Sequence, residues 1–209
     1  MKLNRRSLLQ LSAATAALGF AGLPARAQAI DELVIAYNVN LPAWDPTTGP
    51  SAVNPTLQGL YQSVFDQYIL QQPDLKPAPG LLTEWGWSDD KKTVWMTVRE
   101  GVTWHDGKPF TSADVKFTVD AINKGDWKPE SVDGFDRISS VDTPDSLTAV
   151  VHYKEVYAPY QLQFVRGTLP KHVLEGRDLN TANDYNRAPL GTGPYKVKEW
   201  KTGEYILLE

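Results

Sequence analysis

Residues 94–122, VWMTVREGVTWHDGKPFTSADVKFTVDAI, spell out a strand, a turn and a capped helix in unbroken order, and no other window limits the fold so tightly. Val94, Met96 and Val98 alternate with Trp95, Thr97 and Arg99, the period of two expected when one face of a strand is buried. Glu100-Gly101 ends that strand, and His105-Asp106-Gly107-Lys108 forms a turn in which Gly107 can take positive φ. Pro109 discourages an early helix, Thr111 is a good N-cap and Asp114 follows three residues later, close to a capping box. Val115, Thr118, Val119 and Ile122 then share one helix face.

The flanking chain is assigned in the same way. LVIAY at 33–37 reads as a short buried strand, followed by a loop from Asn38 to Asn54 that is long for a mere connection. Pro55 suits a first helical position, and Leu57, Leu60, Tyr61, Val64 and Phe65 fall on one side of the helix it opens. Gln67 to Leu70 reads as a strand and Gln72 to Leu75 as a turn. Trp85 to Ser88 pairs with the 94–98 strand around Asp89-Asp90-Lys91-Lys92. Phe135–Asp142 and Leu147–Tyr153 form a second hairpin, with Pro144 preset for the turn between them. Short helices are expected within 157–175, an irregular polar loop over 179–188, and a last hairpin from Tyr195 to Glu209. The sum is an α+β fold with mixed sheets.

The N-terminus carries Lys2, Arg5 and Arg6, an apolar run from Leu8 to Leu23, and Ala27-Gln28-Ala29. That order reads as an export signal peptide over 1–29, cleaved after Ala29. Arg5-Arg6 followed by Leu8-Leu9 fits a twin-arginine leader as well as a Sec leader. The segment holds four of the 21 cations and none of the 25 acids, so the mature chain keeps 17 cations against 25 acids, a net charge of −8. Such a balance argues against nucleic acid or an anionic membrane surface as partner. With no cysteine, neither a disulfide nor a lipidated N-terminal cysteine is available, which favours free diffusion in the periplasm.

Residues that could do chemistry do not assemble into a reaction. His105-Asp106 lacks a nucleophile, since there is no cysteine and no G-x-S-x-G, and a turn is the simpler role. None of the three histidines has a second His or Cys at metal-ligand spacing, so no metal and no cofactor is expected. Gly191-Thr192-Gly193-Pro194 lacks the lysine of a phosphate-binding loop and precedes a strand, and reads instead as a tight crossing between lobes. Of seven tryptophans, Trp85, Trp95 and Trp104 sit in regular elements and belong to packing. Trp44 and Trp127 sit in loops and are candidate ligand contacts.

Val98-Arg99-Glu100-Gly101-Val102-Thr103-Trp104-His105-Asp106-Gly107-Lys108-Pro109-Phe110-Thr111-Ser112-Ala113-Asp114-Val115 resembles the signature region of extracellular solute-binding proteins of peptide and nickel ABC importers. Pro77–Leu82 with Trp85, Leu169–Leu174 and Gly191–Val197 resemble further landmarks of that family at compatible separations. The resemblance implies a type II periplasmic-binding-protein-like lobe, with 30–44 and 155–209 forming its core around an inserted subdomain at 45–154. It also implies a second lobe, absent here, so that the sequence reads as truncated within its last hairpin. The implied function is non-enzymatic: a peptide or related small solute is held between lobes and delivered to an inner-membrane permease, the full-length protein acting as a monomer. Thr47, Thr48, Gly49, Pro50 and Ser51, after Asp45-Pro46, are the positions the resemblance assigns to the ligand, largely through main-chain groups. Oligosaccharide, opine, glutathione or chelated nickel are alternative ligands, and a secreted hydrolase or a periplasmic scaffold are alternatives from other classes.

Overall fold

The computed structural model describes residues 32–47, 55–129, 132, 134–179 and 184–209. The leader read over 1–29 lies outside them. The chain divides into one unit ending at Ala36 and another from Tyr37 to Glu209. In the first unit, residues 32–36 form no strand, and Leu33, Val34 and Ile35 are exposed. The buried strand expected over 33–37 is therefore corrected. An apolar run becomes a strand only when a neighbour takes up its N–H and C=O groups, and among the described residues no strand pairs with it.

The second unit opens with helix α1, Pro55–Val64. Strands β1, Ile69–Gln71, and β2, Pro77–Pro79, then form a two-stranded ribbon in which Leu70 lies opposite Ala78. The second of these strands escapes a sequence reading because two of its three residues are prolines. They leave Ala78 as its sole backbone donor, a composition tolerated only at an edge.

The main sheet has four strands: β3, Leu82–Trp87; β4, Thr93–Val98; β5, Ile138–Asp142; and β6, Thr148–Tyr153. Their spatial order is β3-β4-β6-β5, antiparallel throughout. The described sheets mix with helices and not in strand direction, which keeps the fold α+β. Register explains the sidedness: Val94 lies opposite Val151 and Met96 opposite Ala149, so the inward sets of adjacent strands coincide. On the open face Gly86 lies opposite Trp95, whose indole occupies the space a side chain at Gly86 would need.

Helix α2, Ser112–Lys124, covers the inward face. It starts where expected: the Asp114 carboxylate accepts from the Thr111 amide at 2.9 Å, satisfying one of the orphan donors of a helix start. Val115, Thr118, Val119 and Ile122 are buried against the sheet. Each of these three aliphatic side chains contributes about 1.5–3 kcal/mol, an upper figure because unfolded chains already bury some of this area. The turn between β3 and β4 forms around Asp90, whose Oδ1 accepts from the amides of Lys92 and Thr93. At the other turn Gly107 adopts φ 83°, the conformation its sequence position calls for.

Beyond the sheet come short helices α3, Tyr160–Gln163, and α4, Lys171–Leu174, and then the hairpin of β7, Val197–Lys201, and β8, Tyr205–Leu208. Two packing clusters result. The larger joins the sheet, α2 and residues out to Tyr185, while the smaller joins Leu41, Trp44 and α1 to Val197, Trp200, Ile206 and Leu208 of the hairpin. The chain passes from the smaller to the larger between Phe65 and Tyr68. There Tyr68 and Ile69 donate to the carbonyls of Arg166 and Phe164, and Gln67 and Tyr68 accept from Leu81 and Leu82.

Candidate functional site

Asp45 organises the start of the long loop. Its Oδ1 accepts from the Thr47 amide at 2.8 Å and from the Thr47 hydroxyl at 2.7 Å, the local bonding by which Asp favours turns. The same oxygen accepts from Trp127 Nε1 at 3.2 Å, and that indole N–H also reaches Thr47 Oγ1 at 2.9 Å. Trp127 follows α2 directly, so the helix delivers the donor. Tyr185 packs edge-on against the Trp127 ring, and burial together with the nearby Asp45 carboxylate pushes the Tyr185 hydroxyl well above its ordinary pKa. The Pro46 carbonyl accepts from Gly167 N at 2.7 Å, where a Cβ on Gly167 would come within 2.8 Å of that oxygen.

Trp44 is held from the other side. Its amide donates to the Asn186 carbonyl, its ring meets Tyr61 and Phe65 edge-on, and the Tyr61 hydroxyl donates to the Ala43 carbonyl at 2.6 Å. Trp44 and Thr47 are each 0% exposed and Trp127 is 5% exposed. Trp44 and Trp127, expected as ligand contacts, are buried here and support the loop base, and the Thr47 side chain is spent on the same base. Loop membership gives no sign of this, because the covering side chains come from Tyr61, Phe65 and Tyr185, far away in sequence. Thr48, Gly49, Pro50 and Ser51 lie outside the described residues. Asp45, which organises this base, is not singled out by the sequence reading, although the Asp-x-Thr spacing is a signal for it.

The tip of the 94–122 corner fastens two distant stretches. His105 N donates to the Gly191 carbonyl at 2.9 Å, Gly191 N donates to His105 Nδ1 at 3.3 Å, and His105 Nε2 lies 2.9 Å from the Gly193 carbonyl. With Nδ1 accepting, Nε2 carries the proton and donates, so the ring is neutral. Gly191 also crosses the end of α1 so closely that a Cβ there would fall 1.9 Å from the Val64 carbonyl oxygen. Asp106 turns the other way and meets His172 Nε2 at 2.9 Å, while Trp104 packs edge-on to the same imidazole. The two side chains suspected of forming a catalytic pair thus bind different partners.

The floor of this corner is polar and closed. Asp114 Oδ1 accepts from Lys171 N at 3.0 Å, and Thr118 Oγ1 donates to the Asp114 carbonyl and accepts from Leu169 N. Burial raises the Asp114 carboxyl above its ordinary pKa despite the amides of Thr111 and Lys171 that favour its charge. Three sequence landmarks, at 104–111, 169–174 and 191–195, therefore meet around one corner.

The described polar groups around this corner are engaged with the chain's own backbone, and the body they hold together is an α+β framework. A family model described as bacterial extracellular solute-binding proteins, family 5 middle, matches residues 76–209, and the chain belongs to that family. A probable peptide ABC transporter periplasmic-binding protein, y4tO of Sinorhizobium fredii, is 30% identical over 211 residues, covering 94% of this chain and 36% of the relative. The oligopeptide-binding protein AppA of Bacillus subtilis is 36% identical over 120 residues, 54% of this chain and 22% of AppA. Among solved structures, NikZ from Campylobacter jejuni in complex with Ni(L-His) superposes with a TM-score of 0.68 at 27% identity, covering 81% of this chain and 33% of NikZ. The chain thus spans from about a fifth to just over a third of the length of these relatives.

Proposed function

We propose that this chain is the N-terminal portion of the substrate-binding component of an ABC importer, taking a peptide or related small solute and passing it to an inner-membrane permease without chemical change. The observation that carries the reading is the family match over 76–209, together with the meeting of its landmarks around His105 and Asp106. In this reading the Asp45–Thr47–Trp127 knot is the fixed base from which residues 48–51 reach the ligand, largely through main-chain groups. Recognition through backbone hydrogen bonds tolerates varied side chains, as extended peptides require. The two packing clusters support an inserted body within the lobe, and the split between them at 65–68 and 190–197 would shift the expected 45–154 limits. Export to the periplasm by the 1–29 segment, and action as a monomer, complete the proposal. Among the described residues no helix is long and apolar enough to cross a membrane.

A second reading, a chelated metal as ligand, is favoured by the similarity to NikZ, described in complex with Ni(L-His). Thermal-shift measurements on the protein carrying this sequence, against peptides of two to nine residues, histidine-chelated nickel and oligosaccharides, separate the readings. Saturable stabilisation by peptides alone supports the first, since a ligand binding only the folded state raises Tm in proportion to ln(1 + [L]/Kd). Stabilisation by nickel–histidine alone supports the second. Turnover of any bound compound overturns both.

A further inference from the structure

The Gly191–Gly193 strap is held to the 104–108 turn by the His105 amide, which donates to the Gly191 carbonyl, and by the His105 imidazole, which uses both ring nitrogens on backbone groups. The Nε2–H donates to Gly193 O and the bare Nδ1 accepts from Gly191 N. The strap leads through Tyr195, whose amide donates to the Ser63 carbonyl, into β7. We propose that His105 is an acid-operated clasp: a proton taken up at Nδ1 sets an N–H against the Gly191 N–H, opens that end of the clasp, and loosens the strap that carries the β7–β8 hairpin.

The proton balance is simple. The neutral ring gains one proton from solvent, keeps its Nε2–H bond to Gly193 O, and loses its only acceptor. The groups facing the ring pull in both directions. Lys196, on the segment entering β7, opposes a second positive charge. Asp66, behind α1, and Asp106, on the same turn, favour it. Thr192 of the strap, His105 and Arg99 each favour the Asp66 carboxylate, so that acid is coupled to the strap as well as to the ring. Burial outweighs the pull of the Gly193 carbonyl and the two acids, and holds His105 below the ordinary histidine value of 6.5.

The sign follows from that direction. Between about pH 6.5 and the lowered value in the fold, the unfolded chain binds the proton and the folded chain resists it, so stability falls as pH falls through this window. At the lower end the ring charges within the fold and the Gly191 bond opens. Asp66 acts in the opposite sense: burial raises its carboxyl above 3.8, so its charge is a cost that acid relieves. An acid loss of the strap is therefore assigned to His105 and not to Asp66.

The test is Gly191 amide exchange, corrected for intrinsic rates, together with 15N shifts of the His105 ring, on the full chain from about pH 7.5 to about pH 4.5. The expected result is an Nε2–H tautomer at the upper end and a fall of about 10-fold or more in Gly191 protection, with the midpoint of the ring titration. His105→Gln, which cannot take up the proton, should abolish the step, and His152→Gln on the open sheet face should leave it in place. Asp66→Asn removes a charge that favours the imidazolium and should move the step to lower pH. Unchanged Gly191 protection while the ring becomes charged overturns the proposal, as does the same step in His105→Gln. If His105→Gln does not fold, the Asp66→Asn shift decides alone, and a step that stays put or moves to higher pH overturns the clasp.

Discussion

The two packing clusters of this molecule are built by opposite means. The larger is a four-stranded sheet under one amphipathic helix, each element set by its own local periodicity and joined by short turns such as Asp90 and Gly107. The smaller has one helix, one hairpin and a tryptophan in a loop, brought together from stretches near 41–65 and 197–208. Its elements pack on one another directly and are tied to the rest of the lobe by irregular segments: the Gly191–Gly193 strap, the Pro46–Gly167 bond and Asn186. The difference teaches that in this lobe regular structure makes the frame, and irregular segments do the joining.

Substitutions at matched points can break that distinction. Trp44→Ala should have the largest effect, about 3–5 kcal/mol, because it empties the centre of the smaller cluster. If the clusters unfold separately, urea titration followed by Trp fluorescence and by far-UV circular dichroism will give two midpoints, whereas coincident midpoints would show one cooperative body. Gly191→Ala comes next at about 3 kcal/mol, since its methyl group would collide with the Val64 carbonyl and no side chain can yield there. Its loss should appear first in the exchange of β7 and β8 amides. Asp114→Ala removes the acceptor of both Thr111 N and Lys171 N, and should cost about 1–2 kcal/mol, read as a lowered urea midpoint with unchanged slope.

Trp127→Phe keeps an aromatic ring but leaves a small void and leaves Asp45 and Thr47 without the indole donor, for about 1–2 kcal/mol in chemical denaturation. In the proposed reading it should also weaken ligand affinity measured by calorimetry. The smallest change is Asp120→Ala on the outer side of α2, whose pair with Lys116 is half exposed and worth under about 0.5 kcal/mol. A larger loss there would mean that the helix depends on its surface charges and not on its buried face.

The elements of both clusters are legible in the sequence, including the Leu57–Phe65 helix face and the last hairpin, but the way the smaller cluster's loop residues are covered is not, for a physical reason. Periodicity reports how one segment meets an environment, so Val94–Val98 and the face of Val115, Thr118, Val119 and Ile122 disclose their burial directly. It cannot report which environment a loop residue will meet. Trp44 and Trp127 read as available because nothing near them in sequence covers them, and the 33–37 run reads as buried because its composition is that of a strand. The His105–Asp106 pair was recognisable as a turn, but its partners lie 66 and 86 residues away, beyond any local pattern. Candidate positions 48–51 remain proposals of the resemblance, while Asp45 emerges as the residue that fixes where they begin.

The long span between His105 and Gly191 also orders events in time. The 94–122 corner can form from contacts within about thirty residues, whereas the bond to Gly191 closes a loop of 86 residues and must wait until the intervening sheet exists. Substitution at Gly191 should then speed unfolding and leave refolding almost unchanged in stopped-flow measurements. The segment that announces the family to a reader of the sequence would be among the first parts of the chain to take shape, and the fastening that gives its histidine a purpose among the last.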